Sequence, residues 1–152
     1  MTAPTTTLSE PDLALIRKVH GHLCPMVLMG ARTAVKALQL SETVGNRSGL
    51  FGYYRGYGCA VDGIQLFSGC TWGNSNLILL RGRNFSFILT GEGSDDGVVV
   101  APLPSLLTRI REERSPTERS AFMEMLGSSP DEDLFETGTV SGLALLSRYP
   151  ED

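Results

Sequence analysis

No run of apolar residues in this chain approaches the roughly 20 positions that a membrane-crossing helix requires, so no membrane association is expected. Positive charge is not in excess either: 13 Lys and Arg stand against 17 Asp and Glu, for a formal net charge of −4. That balance excludes a general nucleic-acid binder, which would carry a basic face or stripe. Cysteine is scarce and odd in number, with three in the chain, which argues against a disulfide framework. Residues 1 to 7 lack the basic and apolar regions of a signal peptide. Together these absences predict a cytoplasmic chain with reduced thiols. What is present is the composition of an ordinary globular domain, 152 residues with 41% hydrophobic and 20% charged content. A chain of that length buries a sizeable core as one domain. We expect a disordered Thr-rich tail over 1–8 and a single domain over 9–152.

The scarce residues are not spread evenly. His20-Gly21-His22-Leu23-Cys24-Pro25 contains both histidines of the chain and one of its three cysteines. Imidazole and thiolate are the soft ligands and nucleophiles of protein chemistry. Gly21 suits the left-handed end of a preceding helix, and Pro25 the first turn of the next. Cys24 then falls near an N-cap, where free N–H groups and the helix dipole favour a thiolate. Its pKa is expected below the ordinary value of about 8.5.

The remaining chain reads as helices, then strands, then helices. Ser9 caps a helix with an early Pro11 and an acid at Asp12, and Leu13, Ile16 and His20 share a face of it. A second helix runs from Pro25 to about Leu40, with Gly30 and Ala31 small enough for close packing. Gly45 to Gly49 suggests a turn and Leu50 to Tyr54 a strand. A short helix fits Cys59 to Ser68, ending at Gly69. Asn76 to Leu80, a turn at Arg81-Gly82-Arg83, and Phe85 to Thr90 read as a β-hairpin. A Gly/Asp-rich loop leads to a strand at Val98 to Val100. Helices follow over about 105–114 and, behind a Ser115 cap, Pro116 to Leu126. A short helix from Pro130 and an irregular tail complete the reading. This order predicts an α+β domain with two N-terminal helices, a mostly antiparallel sheet and C-terminal helices.

Each cysteine borders a turn or helix end: Cys24 before Pro25, Cys59 after a glycine elbow, Cys70 after Gly69. Asp62 is the one carboxylate between Glu42 and Glu92 and shares a helical face with Cys59. An acid in so uncharged a stretch caps a neighbour or serves a site. His20, His22, Cys24, Cys59 and Cys70 suffice to hold a thiophilic transition metal with a vacant position. Zinc is the first expectation, with nickel or iron as alternatives. The spacing is not that of a closed structural zinc site, because no Cys-x-x-Cys pair occurs.

Three blocks carry a family resemblance: His20 to Pro25, Gly58-Cys59-Ala60-Val61-Asp62-Gly63-Ile64-Gln65, and Gly69-Cys70-Thr71-Trp72-Gly73-Asn74-Ser75-Asn76-Leu77. In this order and spacing they resemble the family of the E-subunit of formylmethanofuran dehydrogenase over roughly residues 12–100. The resemblance implies an α+β core, commonly a homodimer, with motif His and Cys residues lining a cleft that can hold a metal. Carried over by position, His20, His22 and Cys24 match the first block, and Cys59, Asp62, Gln65 and Cys70 the second and third. The chain departs from many members at Met26, where they have Gly, and at Arg81-Gly82-Arg83, where they carry a Gly-Lys pair. It has no Cys or His after Cys70, so the zinc-ribbon-like module of other members is not expected.

Three functions fit these residues. One is a metal-dependent enzyme acting on a small molecule or cofactor, with Cys24, Cys59 and Asp62 as catalytic groups and Gln65, Thr71 and Asn74 contacting the ligand. A second is a metal or cofactor carrier, or an accessory module for a larger redox enzyme. The third makes Cys24 a redox or nucleophilic thiol with Cys59 or Cys70 as resolving partner. A homodimer is expected from the small-residue face of the second helix (Gly30, Ala31, Ala34) and the aromatic strand Phe51 to Tyr54.

Overall fold

A computed structural model describes residues 6–43, 49–91 and 96–141. The chain runs α1 (Glu10–His20), α2 (Pro25–Thr43), β1 (Phe51–Tyr54), α3 (Cys59–Ser68), β2 (Leu77–Leu79), β3 (Phe87–Thr90), β4 (Asp96–Pro102), α4 (Pro104–Ile110), α5 (Pro116–Ser128), a 3₁₀ turn (Asp131–Asp133) and β5 (Phe135–Ser141). Five strands form one sheet in the order β2-β1-β3-β4-β5. The β1–β2 pair is parallel and the other three pairs are antiparallel. The α+β expectation holds. The expected turn at 45–49 and loop at 91–97 lie largely outside the described residues.

Local chemistry sets the helix boundaries that matter for the site. Ser9 and Asp12 form a reciprocal capping box at the start of α1, and Gly21 ends that helix at φ 95°, a conformation that costs glycine little. Gly69 likewise closes α3 at φ 74°. α2 is the central element: it packs on α3, on β3 and β4, and on α5. Its Val27, Leu28, Ala31 and Ala34 join Tyr54, Phe87, Leu89, Val98 and Val100 in the core. Each large apolar side chain buried there contributes about 1.5–3 kcal/mol.

Two glycines bring α2 and α3 together. A Cβ on Gly30 would overlap the carbonyl of Ala60, and one on Gly63 would lie 2.5 Å from Val27 O and Ala31 N. The small-residue face of α2 is therefore consumed inside the chain by α3, not left open for a second copy. This removes one of the two grounds for a homodimer.

Four local expectations are corrected. The stretch 76–90 is not a hairpin, because β1 lies between β2 and β3. The β1–α3–β2 unit delivers β2 parallel to β1, and the chain then wraps the end of β1. Leu80 N–H donates to Tyr54 O at 2.8 Å, Phe85 N–H to Arg55 O at 2.8 Å, and Arg55 N–H to Ser86 O at 3.0 Å. Thr6 to Leu8 are not a loose tail, while the rest of the expected tail, 1–5, lies outside the described residues. Thr6 Oγ1 donates to Asp131 at 2.6 Å, and Leu8 N–H to Gly127 O at 3.3 Å. Finally, residues 135–141 form an edge strand in register with β4, where an irregular tail was expected. The helix expected over 105–114 is shorter, ending at Ile110.

Candidate metal centre

Three helix ends meet at the candidate site. His20 is the last residue of α1, Cys24 immediately precedes α2, and Cys59 opens α3. The close α2–α3 packing at Gly30 and Gly63 fixes the spacing between the two cysteine-bearing ends. One potential ligand atom each from His20, His22, Cys24 and Cys59 lies within 4.8 Å of all the others. The two imidazoles face each other at a centroid separation of 4.6 Å and a 43° tilt.

His20 is oriented from α3. Its Nδ1 lies 2.6 Å from Asp62 Oδ2. A carboxylate only accepts, so Nδ1 carries a proton, and in the neutral imidazole Nε2 presents its lone pair. Nε2 is buried and has no hydrogen-bond partner among the described residues. A buried acceptor left empty costs free energy, whereas a cation at that position would satisfy it. The carboxylate–histidine–metal arrangement is how proteins orient a ligating imidazole. Two thiols and two imidazoles are the donor set of a zinc-type tetrahedral site. The residues therefore fit a transition metal ion.

The electrostatics of Cys24 differ from expectation. Burial pushes the thiol above its ordinary value, the Val27 N–H pulls it back, and the neighbouring Cys59 raises it again. The Val27 N–H contacts Cys24 Sγ at 3.5 Å, so the N-cap geometry is as expected. Desolvation outweighs it in the metal-free protein. Cys24 is therefore a protonated thiol at neutral pH until a cation or another electrophile displaces the proton.

The other sequence-derived candidates divide. Cys70 does not join the group: it is buried in the hydrophobic core. Its N–H donates to Ser68 Oγ at 3.0 Å, which turns the chain inward after Gly69. Burial raises its thiol pKa. Cys70, expected as a ligand or a resolving thiol, is placed as a small core hydrophobe apart from the four grouped donors. Asp62, expected as a catalytic group, binds His20 and so positions its ring.

Gln65, Thr71 and Asn74, expected at a cofactor, brace the loop after α3. Gln65 Oε1 accepts from Trp72 N–H at 2.9 Å. Asn74 Oδ1 accepts from Thr71 N–H at 3.0 Å and from Asn76 N–H at 3.0 Å, while its Nδ2 donates to Gly69 O at 2.7 Å. Thr71 Oγ1 accepts from Asn74 N–H at 2.9 Å.

One buried cluster is absent from the sequence-based expectations. Arg32 on α2 is fully buried; it donates to Asp131 Oδ1 at 2.7 Å and to Leu126 O at 2.8 Å. Lys36 Nζ lies 3.1 Å from Asp131 Oδ2. Its signal in the sequence is one cation inside the otherwise uncharged run Gly30-Ala31-Arg32-Thr33-Ala34. Among the described residues no helix is long and apolar enough to cross a membrane.

Comparison with known proteins places the chain. It is 35% identical over 76 residues to a probable S-adenosyl-L-methionine-binding protein of Archaeoglobus fulgidus, a match covering 45% of this chain. The chain spans only 20% of that protein's length. Its fold resembles the crystal structure of a tungsten formylmethanofuran dehydrogenase E-subunit (FmdE)-like protein from Syntrophus aciditrophicus, with a TM-score of 0.68 at 24% identity. That match covers 99% of this chain and 83% of the other. The model of the FmdE family, described as molybdenum formylmethanofuran dehydrogenase operon, matches residues 19–136, and the chain belongs to that family.

Proposed function

We propose that this protein is a transition-metal module in which His20, His22, Cys24 and Cys59 hold one ion per chain, and that it acts as a metal-dependent enzyme on a small molecule or cofactor. The observation that carries the reading is the buried, unpartnered Nε2 of His20, oriented by Asp62 towards a group of three further soft donors. Zinc suits the donor set best, with nickel and iron as alternatives. Cys24 and Cys59 sit at helix N-termini, which stabilises both thiolates once an ion replaces their protons.

Four protein donors would saturate a tetrahedral ion. His22 is the exposed member of the four, on the short connection after Gly21, and is the donor placed to yield its position to a substrate. An ion here would supply Lewis acidity towards an oxygen or sulfur of that substrate. In the accessory reading, suggested by the family's association with a dehydrogenase operon, His22 stays bound and the module stores or transfers the ion. Exchange kinetics separate the two. The alternative in which Cys24 and Cys59 work as a bare dithiol is disfavoured by the raised pKa of Cys24.

Untagged protein should contain one transition metal per chain by elemental analysis. Cobalt(II) replacement should show thiolate-to-metal charge-transfer absorption, reduced in Cys24→Ser and in Cys59→Ser. Absence of stoichiometric metal after incubation with zinc, nickel or iron would overturn the proposal. Assembly as a two-fold homodimer also stays a proposal. Its remaining support in the sequence is the aromatic strand, whose outer face is half-exposed on β1, and exposed Ile78 and Leu79 on the adjoining edge strand add to it. Light scattering at the monomer mass of 16.4 kDa would contradict it.

A further inference from the structure

The two edges of the sheet differ in chemistry. β5, at one edge, carries Glu136 and Gly138 among threonines. A charge and a glycine on an edge strand discourage further pairing. β2, at the other edge, is Leu77-Ile78-Leu79, with no charged residue, proline or glycine. Ile78 is 41% and Leu79 43% exposed. An open, uncharged, apolar edge is a template for another strand.

Its backbone is oriented to receive one. Gly52 N–H donates to Asn76 O and Leu80 N–H to Tyr54 O, both at 2.8 Å, and Tyr53 is in register with Ile78. Alternate residues of a strand bond to the same neighbour, so 76, 78 and 80 face β1. Leu77 and Leu79 therefore turn their N–H and C=O groups outward, where no strand among the described residues pairs with them.

A second copy fits this edge through a two-fold axis. Antiparallel pairing centred on Ile78 sets Leu77 of each copy opposite Leu79 of the other. These are the outward-facing residues, so each pair exchanges both of its hydrogen bonds. This register uses every residue of β2, which a shift along the edge would not. Ile78 then meets its own counterpart at a Cα separation of about 4.5 Å. On the same face Tyr53 stands beside it, with Phe51 at a ring distance of 5.2 Å. Beyond the strand, position 81 of one copy falls opposite position 75 of the other. Arg81 is exposed. Trp72, 76% exposed, stands on the turn closed by Ser75 N–H donating to Trp72 O at 3.2 Å. A guanidinium and an indole face are electrostatically complementary, and the axis makes the contact twice. An unrelated strand would use the backbone groups alone, whereas a second copy also occupies Ile78 and Trp72.

We infer that β2 is the interface of a two-fold homodimer, in which two sheets join edge to edge through Leu77, Ile78 and Leu79, flanked by Arg81 against Trp72. The inference deepens the dimer reading by naming its surface, and it rests on that reading. So short an edge lies at the small end of specific interfaces, and dissociation is expected in the micromolar range.

Light scattering from the full chain at high micromolar concentration should return twice the monomer mass of 16.4 kDa. Ile78→Lys sets like charges opposite each other on the axis and should weaken the dimer at least about tenfold. The position is exposed, so circular dichroism should show an unchanged fold. Ile78→Cys under mild oxidation should cross-link two chains, because a non-hydrogen-bonded pair lies within disulfide reach. Wild type and Glu136→Cys, on the opposite edge, should not cross-link. Trp72 is the one tryptophan of the chain, so its emission should shift on dilution of wild type and stay constant in Ile78→Lys. A dimer undiminished in Ile78→Lys, or one cross-linked through Glu136→Cys and not Ile78→Cys, would overturn this inference and leave the dimer reading standing. A monomer at every concentration would sink both. Emission indifferent to dilution of a wild-type dimer would overturn the register centred on Ile78.

Discussion

Two polar clusters stand in contrast in this molecule, one on α2 and one at the connection that leads into it. Each leaves a buried nitrogen without a partner among the described residues, Arg32 Nε in the first and His20 Nε2 in the second. At Arg32 the guanidinium is buried, and Asp131 receives Arg32, Lys36 and Thr6. That cluster ties α2 to the N-terminal segment, to α5 and to the 3₁₀ turn before β5. Before the N-terminus of α2 the His20–Asp62 bond links the end of α1 to α3, and His20, its Nε2 unpartnered, shares a group with His22 and two thiols. The first cluster closes its charges on one another, leaving only the Arg32 Nε–H without an acceptor among the described residues, and serves the fold. The second is complete only with something added, and soft donors specify a soft cation.

The largest effect should follow from breaking the closed cluster. Asp131→Ala leaves the Arg32 guanidinium buried without its carboxylate and should destabilise the chain by about 3–5 kcal/mol. Folded protein should keep its metal affinity. Thermal and denaturant unfolding of metal-free protein checks the first statement, and chelator competition the second. Metal loss in the folded variant would show that the clusters are not separate.

Gly30→Ala joins the two regions. Its Cβ would overlap the Ala60 carbonyl, so α3 must shift from α2, costing about 1–3 kcal/mol. The same shift moves Cys59 away from Cys24 and should weaken metal binding. A variant that loses stability but binds metal as tightly as before would separate the helix contact from the site.

Asp62→Asn tests the open cluster from outside the ligand group. The carboxylate is 41% exposed, so unfolding should barely respond. Metal affinity should fall about 10–100-fold as His20 exchanges its charged orienting acceptor for a weaker amide oxygen. An affinity unchanged from wild type would reduce the His20–Asp62 bond to a surface contact.

Acid should reveal the closed cluster more gently. Burial alone would raise the Asp131 carboxyl, but hydrogen bonds from Thr6, Lys36 and Arg32 outweigh it and hold the group below 3.8. The unfolded chain therefore takes up the proton first as pH falls. The stabilisation is complete well above pH 3.8 and is lost as pH drops through that value and below it. Denaturation of metal-free wild type and Asp131→Asn between about pH 6 and pH 3 should converge towards the acid end. Parallel curves would contradict the linkage.

Punctuation and composition make much of this legible. The capping box at Ser9, the left-handed glycines at 21 and 69, and the crowding of His20, His22 and Cys24 all act within a few residues. Those ranges are read directly from spacing. Strand partners are not legible, because Leu77–Leu79 and Phe87–Thr90 look like a hairpin locally. Only tertiary packing of α3 sends β1 between them. In sequence Cys70 looks like Cys59, each beside a glycine, and only the fold shows that Cys59 lies among the other three donors while Cys70 does not. The Cys24 thiol departs from its expected pKa because the N-cap effect is local and visible, while desolvation depends on what the whole fold places around the sulfur. Arg32 and β5 carry little local signal since their partners lie far along the chain, at Asp131 and on β4.

The central claim is that two of the three cysteines, with the paired histidines, make the metal centre, and that the third belongs to the core. Zinc affinity measured by chelator competition on Cys59→Ser and Cys70→Ser tests it most directly. The account predicts a loss of at least about 100-fold for Cys59→Ser, as for removing a thiolate ligand, and wild-type affinity for Cys70→Ser. A comparable loss in Cys70→Ser, or full affinity in Cys59→Ser, would contradict it.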